Sequence, residues 1–265
     1  GQFKNFDSSN PVLDNDAITA TLVSQQVNAI KHLVSMPSGM IALTSNGAWL
    51  VSGGGTNQPI TPANIIATPQ AFEGCSDLPP IVVSYDILYG SEKGNTIRTI
   101  AYKFESNVFA GEDASVLASH LFDGYTTTEW TYAEAPFKLV WACRSDGVLL
   151  SLTILRDQQV LGWSQHNSFG TDTFTSVASV VEGEEDAVYF VTTRTINSVA
   201  TQIVERMATR LLTSNINNSW FLDSALEYSG AAATVIRGLD HLRSATVSAF
   251  CNGTVYTDLA VTSDG

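Results

Sequence analysis

The residues most able to do chemistry near neutral pH are the four histidines, since a neutral imidazole serves as base or metal ligand there. His32, His120, His166 and His241 are far apart, with no HxxxH or HxH spacing. Each therefore reads as a hydrogen-bonded structural ring or a surface ring rather than a metal ligand. No G-x-S-x-G elbow is present, so acyl transfer has no sequence support. Two acidic groups, Glu112-Asp113 and Glu184-Glu185-Asp186, join carboxylates that are neighbours in sequence. A sugar-cleaving site needs carboxylates on opposing elements, so both groups read as solvated turns. A calcium loop over 182–186 lacks the alternating Asp/Asn pattern. Arg144, Asp146, Arg156 and Asp157 fall at turns and strand edges. Gly53-Gly54-Gly55 beside Thr56 is followed by neither Lys-Ser/Thr nor a helix, so it is a turn and not a phosphate cradle. The expectation is a protein that is not an enzyme, with no catalytic, cofactor-binding or metal residue and no cofactor. The ambiguous set is aromatic: Trp130, Tyr132, Trp141 and Trp163 read as exposed. Of these, Trp130, Tyr132 and Trp163 are candidates for an interface or for stacking on a ligand, against the alternative of packing between sheets.

These residues must be positioned by strands. Residues 139–143, 148–155 and 160–165 are apolar runs separated by Ser145-Asp146-Gly147 and by 156–159. Asp-Gly between apolar runs signals a tight hairpin, because both central residues of a type I′ turn need positive φ. The same device recurs at Asn46-Gly47 between 40–43 and 48–52, and at Asn252-Gly253 between 245–250 and 255–261. Further hairpins are expected from 81–89 and 96–104, and from 187–194 and 200–207, with 174–181 strand-like and 126–135 extended. Two short helices are predicted. One follows Ser24, from Val27, Ile30, Leu33 and Val34 at helical spacing; the other lies within 114–122, inside a connector over 107–124. The hairpins begin near Met40, Val82, Leu139 and Ala187. Separations of roughly 40 to 60 residues fit the blade period of a β-propeller, in which each blade is a small antiparallel sheet. The expected class is mainly β, with propeller-like blades and a β-sandwich as the alternative. The expected division is a propeller-like body over 1–227, incomplete as a propeller, and the start of a small β module over 228–265.

The chain has 265 residues, 44% of them hydrophobic, which is ample for a core. A net charge of −13 argues against an electrostatic grip on DNA or RNA, and suits a surface past which nucleic acid moves without sticking. The three cysteines, Cys75, Cys143 and Cys251, are odd in number and widely spaced, and read as reduced thiols. No apolar run approaches the roughly 18 residues that cross a bilayer, and no leader pattern is seen, so no membrane association is expected. The absence of an initial Met and the turn-like Ser263-Asp264-Gly265 suggest a piece of a longer protein.

Several segments, taken in order, resemble one family. They are 24–33 (SQQVNAIKHL), 43–54 (LTSNGAWLVSGG), 60–64 (ITPAN), Ile87-Leu88-Tyr89 with Ile97-Arg98, 104–106 (FES), 117–122 (LASHLF), 140–147 (VWACRSDG), 156–163 (RDQQVLGW) and 238–242 (GLDHL). The series is similar to the nozzle proteins of short-tailed bacteriophages, also called tail tubular protein B or stabilisation protein. It spans most of residues 3–245. The resemblance implies a virion structural protein, made in the bacterial host cytoplasm and built into the phage tail. It implies self-association into a ring by the full-length protein, contact with the portal, adaptor and other tail proteins, and DNA passing through the lumen without specific binding. It also implies that this chain is a central fragment, and supplies no catalytic residues. The alternative expectation is a receptor- or carbohydrate-binding β module.

Overall fold

The computed structural model describes residues 6–9, 11–23, 28–55, 58–103, 108–168, 170–196, 198–212 and 224–265. Among the described residues the regular structure is mainly β, in five antiparallel sheets. Two compact units divide the chain, Gly1–Thr128 and Glu129–Gly265. In the second unit the short 3-10 turn Asp240–Leu242 packs onto a strand of that unit's main sheets.

In the first unit β1 (Ile30–Met36), β2 (Gly39–Thr44), β3 (Gly47–Ser52) and β4 (Ile66–Ala71) form one sheet in that order, and β5 (Ile81–Val83), β6 (Asp86–Gly90), β7 (Ile97–Lys103) and β8 (Val108–Asp113) form a second. Their inner faces meet in one core, in which Ile41 and Leu43 of β2 join Ile87 and Tyr89 of β6, Ile100 of β7 and Phe109 of β8. Each such side chain contributes about 1.5–3 kcal/mol by leaving water. The Asn46 turn joins β2 to β3 as expected, but β1 replaces the predicted first helix. Val34 and Met36 are buried while Leu33 and Ser35 are exposed, a period of two set by pairing with β2. Val27 and the proposed cap Ser24 lie outside the described residues.

Three further departures have local causes. The run 81–89 is two strands, since Ser84 at φ 57° and Tyr85 turn the chain so that Val83 pairs with Asp86. β4 escapes notice because it contains Pro69, which is tolerated where a register shift occurs and on an edge strand. β8 occupies the first part of the supposed connector, paired with β7 from Lys103↔Val108 to Arg98↔Asp113. The second predicted helix is a 3-10 segment, Val116–Leu121, broken at Ala118. Its start is held by Asp113 Oδ1, which accepts from the Ser115 backbone N–H and hydroxyl at 2.8 and 2.7 Å.

In the second unit β9 (Thr127–Ala133), β10 (Leu139–Arg144), β11 (Leu149–Leu155) and β12 (Val160–His166) form a sheet ordered β12-β11-β10-β9. β13 (Thr173–Glu182), β14 (Glu185–Ile196) and β15 (Val199–Arg206) form a three-stranded meander among the described residues. The two sheets share a core of Ala133, Trp141, Cys143, Leu149, Val177, Val188 and Phe190. Trp141 and Phe174 both meet Phe190 edge-on, with ring centroids 6.0 and 5.5 Å away. β16 (Thr246–Cys251) and β17 (Thr254–Ala260) make a hairpin around Asn252-Gly253. No helix among the described residues is long and apolar enough to cross a membrane.

Candidate functional site

The aromatic candidates are best placed by strand parity. Ala133 and Trp141 face the core with β14, so Trp130 and Tyr132 project from the opposite face of β9. Trp163 pairs with Leu152, whose neighbour Ser151 pairs with Trp141, so Trp163 projects from that same opposite face. Yet β9 and β12 are the two edges of the sheet, with β10 and β11 between them. Trp130 is 8% exposed and Tyr132 and Trp163 are half-buried, so the three do not form an exposed platform. Trp141, also read as exposed, is 4% exposed.

The concave feature that the sequence did not indicate lies on the core side of this sheet. A cleft of about 1070 Å³ opens between the two sheets of the second unit. Trp141 of β10, His166 of β12, Phe174 of β13, Phe190 of β14 and Met207 line it, with Arg210 in its wall. Trp141 Nε1 and Arg210 Nη1 are buried there without an acceptor among the described residues. His166 stacks at a tilt on Trp141, 5.1 Å between centroids, and shares a 2.7 Å hydrogen bond with Ser151 Oγ. Burial lowers the His166 pKa, so the ring is neutral at pH 7. A serine beside a neutral imidazole is the starting arrangement for nucleophilic catalysis. Ser151, however, is 6% exposed, lies between β10 and β12, and does not line the cleft. Its contact with His166 is a cross-strand hydrogen bond.

Beside the cleft is a buried ionic network. The even-numbered row of β14 faces inward, and it places Arg194, only 2% exposed, after Val188, Phe190 and Thr192. Arg194 donates to Asp172 Oδ2 at 2.6 Å and to Glu205 at 2.7 and 2.9 Å, while Thr192 also donates to Glu205. Burial raises the Glu205 carboxyl, but the hydrogen bond and charge of Arg194 outweigh it and leave Glu205 below the ordinary range. A carboxylate so held is an anion and a poor general acid. His241, on the turn that packs against β14, shares a 3.1 Å hydrogen bond with Ser224 Oγ. Its pKa is lowered by burial and then by Arg194, against the opposing pull of Glu205 and Asp240.

The acidic groups are structural. Glu185 is 7% exposed and not a solvated turn residue: it accepts from Arg206, from the Thr209 hydroxyl and from the Arg210 backbone N–H. Asp186 Oδ2 accepts from the Glu134 and Ala135 backbone N–H groups, tying the end of β9 to β14. Glu112 pairs with Lys103, and Arg144 grips Asp146 through two 2.7 Å hydrogen bonds across the Asp-Gly turn. His32 Nε2 lies 3.3 Å from the Ser76 carbonyl, and His120 is exposed. Cys75 and Cys143 are buried, with burial raising their pKa values to about 11 and about 12, and Cys251 is exposed. No cluster of three or more potential metal ligands occurs among the described residues. No protein-family model matches the chain, and no curated protein does.

Proposed function

We propose that this chain is a non-enzymatic structural component of the tail of a short-tailed bacteriophage, part of the nozzle around the DNA channel. The successive meanders act as blades of a propeller-like body. The full-length protein assembles with copies of itself and with the portal, adaptor and other tail proteins. The observation that carries the reading is the regular succession of sheets: their first strands begin at Ile30, Ile81, Thr127 and Thr173, roughly 46 to 51 residues apart. Three have four strands each and the fourth has three among the described residues, the size and period of propeller blades.

Electrostatics supports the channel role. The net charge is −13, and a set of the thirteen cations is engaged within the fold. Lys31, Arg98, Lys103, Arg144, Arg194 and Arg206 each sit against a carboxylate. A phosphate backbone would have to displace those carboxylates to gain a contact. The reading is tested by electron microscopy of the full-length protein. Closed rings with a lumen wide enough for duplex DNA are the expected result, and a monomer at every concentration would overturn it.

A second reading, a carbohydrate- or receptor-binding module, draws on the cleft lined by Trp141, Phe174, Phe190 and Ile203, whose wall carries two donors without acceptors among the described residues. Stacking on a sugar face beside unmet donors is how such sites hold saccharides. Binding on a glycan array, lost on filling the cleft by Ile203→Trp, is the result that would favour it.

A further inference from the structure

Two Asn-Gly turns, alike in sequence, stand in opposite environments. Asn46-Gly47 joins β2 to β3 inside a four-stranded sheet. Gly47 is buried, and a Cβ there would lie 2.5 Å from the Ala71 carbonyl oxygen. The turn is also stitched by Thr44 Oγ1, which donates to the Gly47 carbonyl at 2.8 Å and accepts from the Asn46 N–H at 3.3 Å. Asn252-Gly253 joins β16 to β17, a sheet of two strands. Both residues are exposed, at φ 48° and 80°, and nothing lies within 4 Å of a Cβ built on Gly253. Among the described residues the hairpin rests on a cluster of Leu242, Ala245 and Val261, with Leu239 and Val247 beside it, and every residue of β17 is exposed.

From this contrast we infer that Asn252 is a site of spontaneous deamidation and that Asn46 is protected from it. The Gly253 backbone nitrogen, after losing its proton to water or hydroxide, attacks Asn252 Cγ. A C–N bond forms, the Cγ–Nδ2 bond breaks, and the side-chain nitrogen leaves as ammonia after taking up a proton. One water then opens the cyclic imide at either carbonyl, giving aspartate or isoaspartate. Water is the only co-reactant. Glycine is the fastest following residue because no Cβ obstructs ring closure. The attacking nitrogen reaches Cγ only when the asparagine leaves its turn conformation, so the rate follows local opening. A two-stranded hairpin resting on so small a cluster opens at little cost, whereas freeing Asn46 requires disrupting the first unit's sheet. Isoaspartate adds a backbone carbon at a turn that requires positive φ at two residues, which breaks the hairpin register and adds a negative charge.

The test is to age the full chain at mildly alkaline pH, folded and in denaturant, and to map peptides by mass spectrometry with enzymatic isoaspartate labelling. Product at Asn252 should accumulate in the folded chain at least about tenfold faster than at Asn46, and the two rates should converge once the chain is unfolded. Asn252→Gly, which keeps a residue suited to positive φ, should leave the Asn46 peptide intact and yield no product at the second turn. Equal reactivity of the two sites in the folded chain overturns the inference. So does an Asn252 that survives folded and reacts only in denaturant.

Discussion

Arg194 places a full positive charge on the inward row of β14, and the fold tolerates it because Asp172 and Glu205 converge on the guanidinium. Removing one partner of such a network leaves the others buried and uncompensated, at a cost of roughly 3–5 kcal/mol. Glu205 is 24% exposed at its side chain, so Arg194→Met should fall toward the lower end of that range in urea unfolding. Adding Glu205→Gln should recover part of the loss. Recovery of none would mean that packing, not charge, is what Arg194 supplies. The two half-buried histidines set a pH dependence. His166 and His241 have folded pKa values below the ordinary 6.5, so the unfolded chain takes up their protons first. Stability is therefore full above pH 6.5 and declines as the pH falls from there toward the folded values. Glu185 and Glu205 have folded values below the ordinary 4.5, and the stability they contribute is present above 4.5 and lost as pH falls below it. The urea midpoint should fall in two limbs, and His166→Gln with His241→Gln should remove only the upper one. Part of this was legible in the sequence: the alternation Val188, Phe190, Thr192, Arg194 puts a cation on an apolar row, which signals a buried partner. The identity of that partner was not, because Asp172 and Glu205 come from flanking segments that only the sheet brings together.

Turn chemistry made the hairpins readable, since Asn-Gly and Asp-Gly fix a tight turn and period-two runs fix the strands beside it. Elements lacking such a signal were missed, as β4 with Pro69 and β8 with its Gly111 show. The segment at β1 was misread because Ile30, Leu33 and Val34 satisfy a helical spacing. What decides the outcome is β2, which offers Leu33, Val34 and Ser35 partners at Ala42, Ile41 and Met40. The two readings differ in a measurable way. A helical stripe would bury Leu33 and Val34 on one face, whereas the strand leaves Leu33 58% exposed and Val34 7% exposed. Leu33→Lys should then change stability by no more than about 0.5 kcal/mol, while Val34→Asp, burying an unpaired charge, should cost several kcal/mol. Comparable losses at both positions would restore the helix. The cleft had no sequence signal because its lining comes from six strands and the segments after them, each residue ordinary in its own row.

For the whole molecule, the proposed channel role rests on how charge is distributed and not only on its sum. A net charge of −13 argues against a general electrostatic grip on nucleic acid, but it does not say where the cations stand. The pairing of Lys31, Arg98, Lys103, Arg144, Arg194 and Arg206 with carboxylates bears on the matter more directly, because a phosphate competes against a partner already in place. Low ionic strength is the demanding condition, since at about 0.01 M the Debye length is ~30 Å and any weak attraction is at its greatest. The chain should pass through immobilised duplex DNA without retention there, and its elution should not shift as salt is raised. A protein that neutralises several phosphates behaves oppositely, losing orders of magnitude of affinity between low and moderate salt. Retention that salt abolishes would mean that the ion pairs yield to phosphate, and a lumen built from this chain would hold DNA instead of letting it slide. Neutralising an acid outside the pairs, such as Glu184→Gln, should leave elution unchanged. Glu112→Gln together with Glu73→Gln, which strips Lys103 and Arg98 of their partners, should create weak salt-sensitive retention. That contrast separates a surface that repels DNA through its total charge from one whose cations are individually occupied.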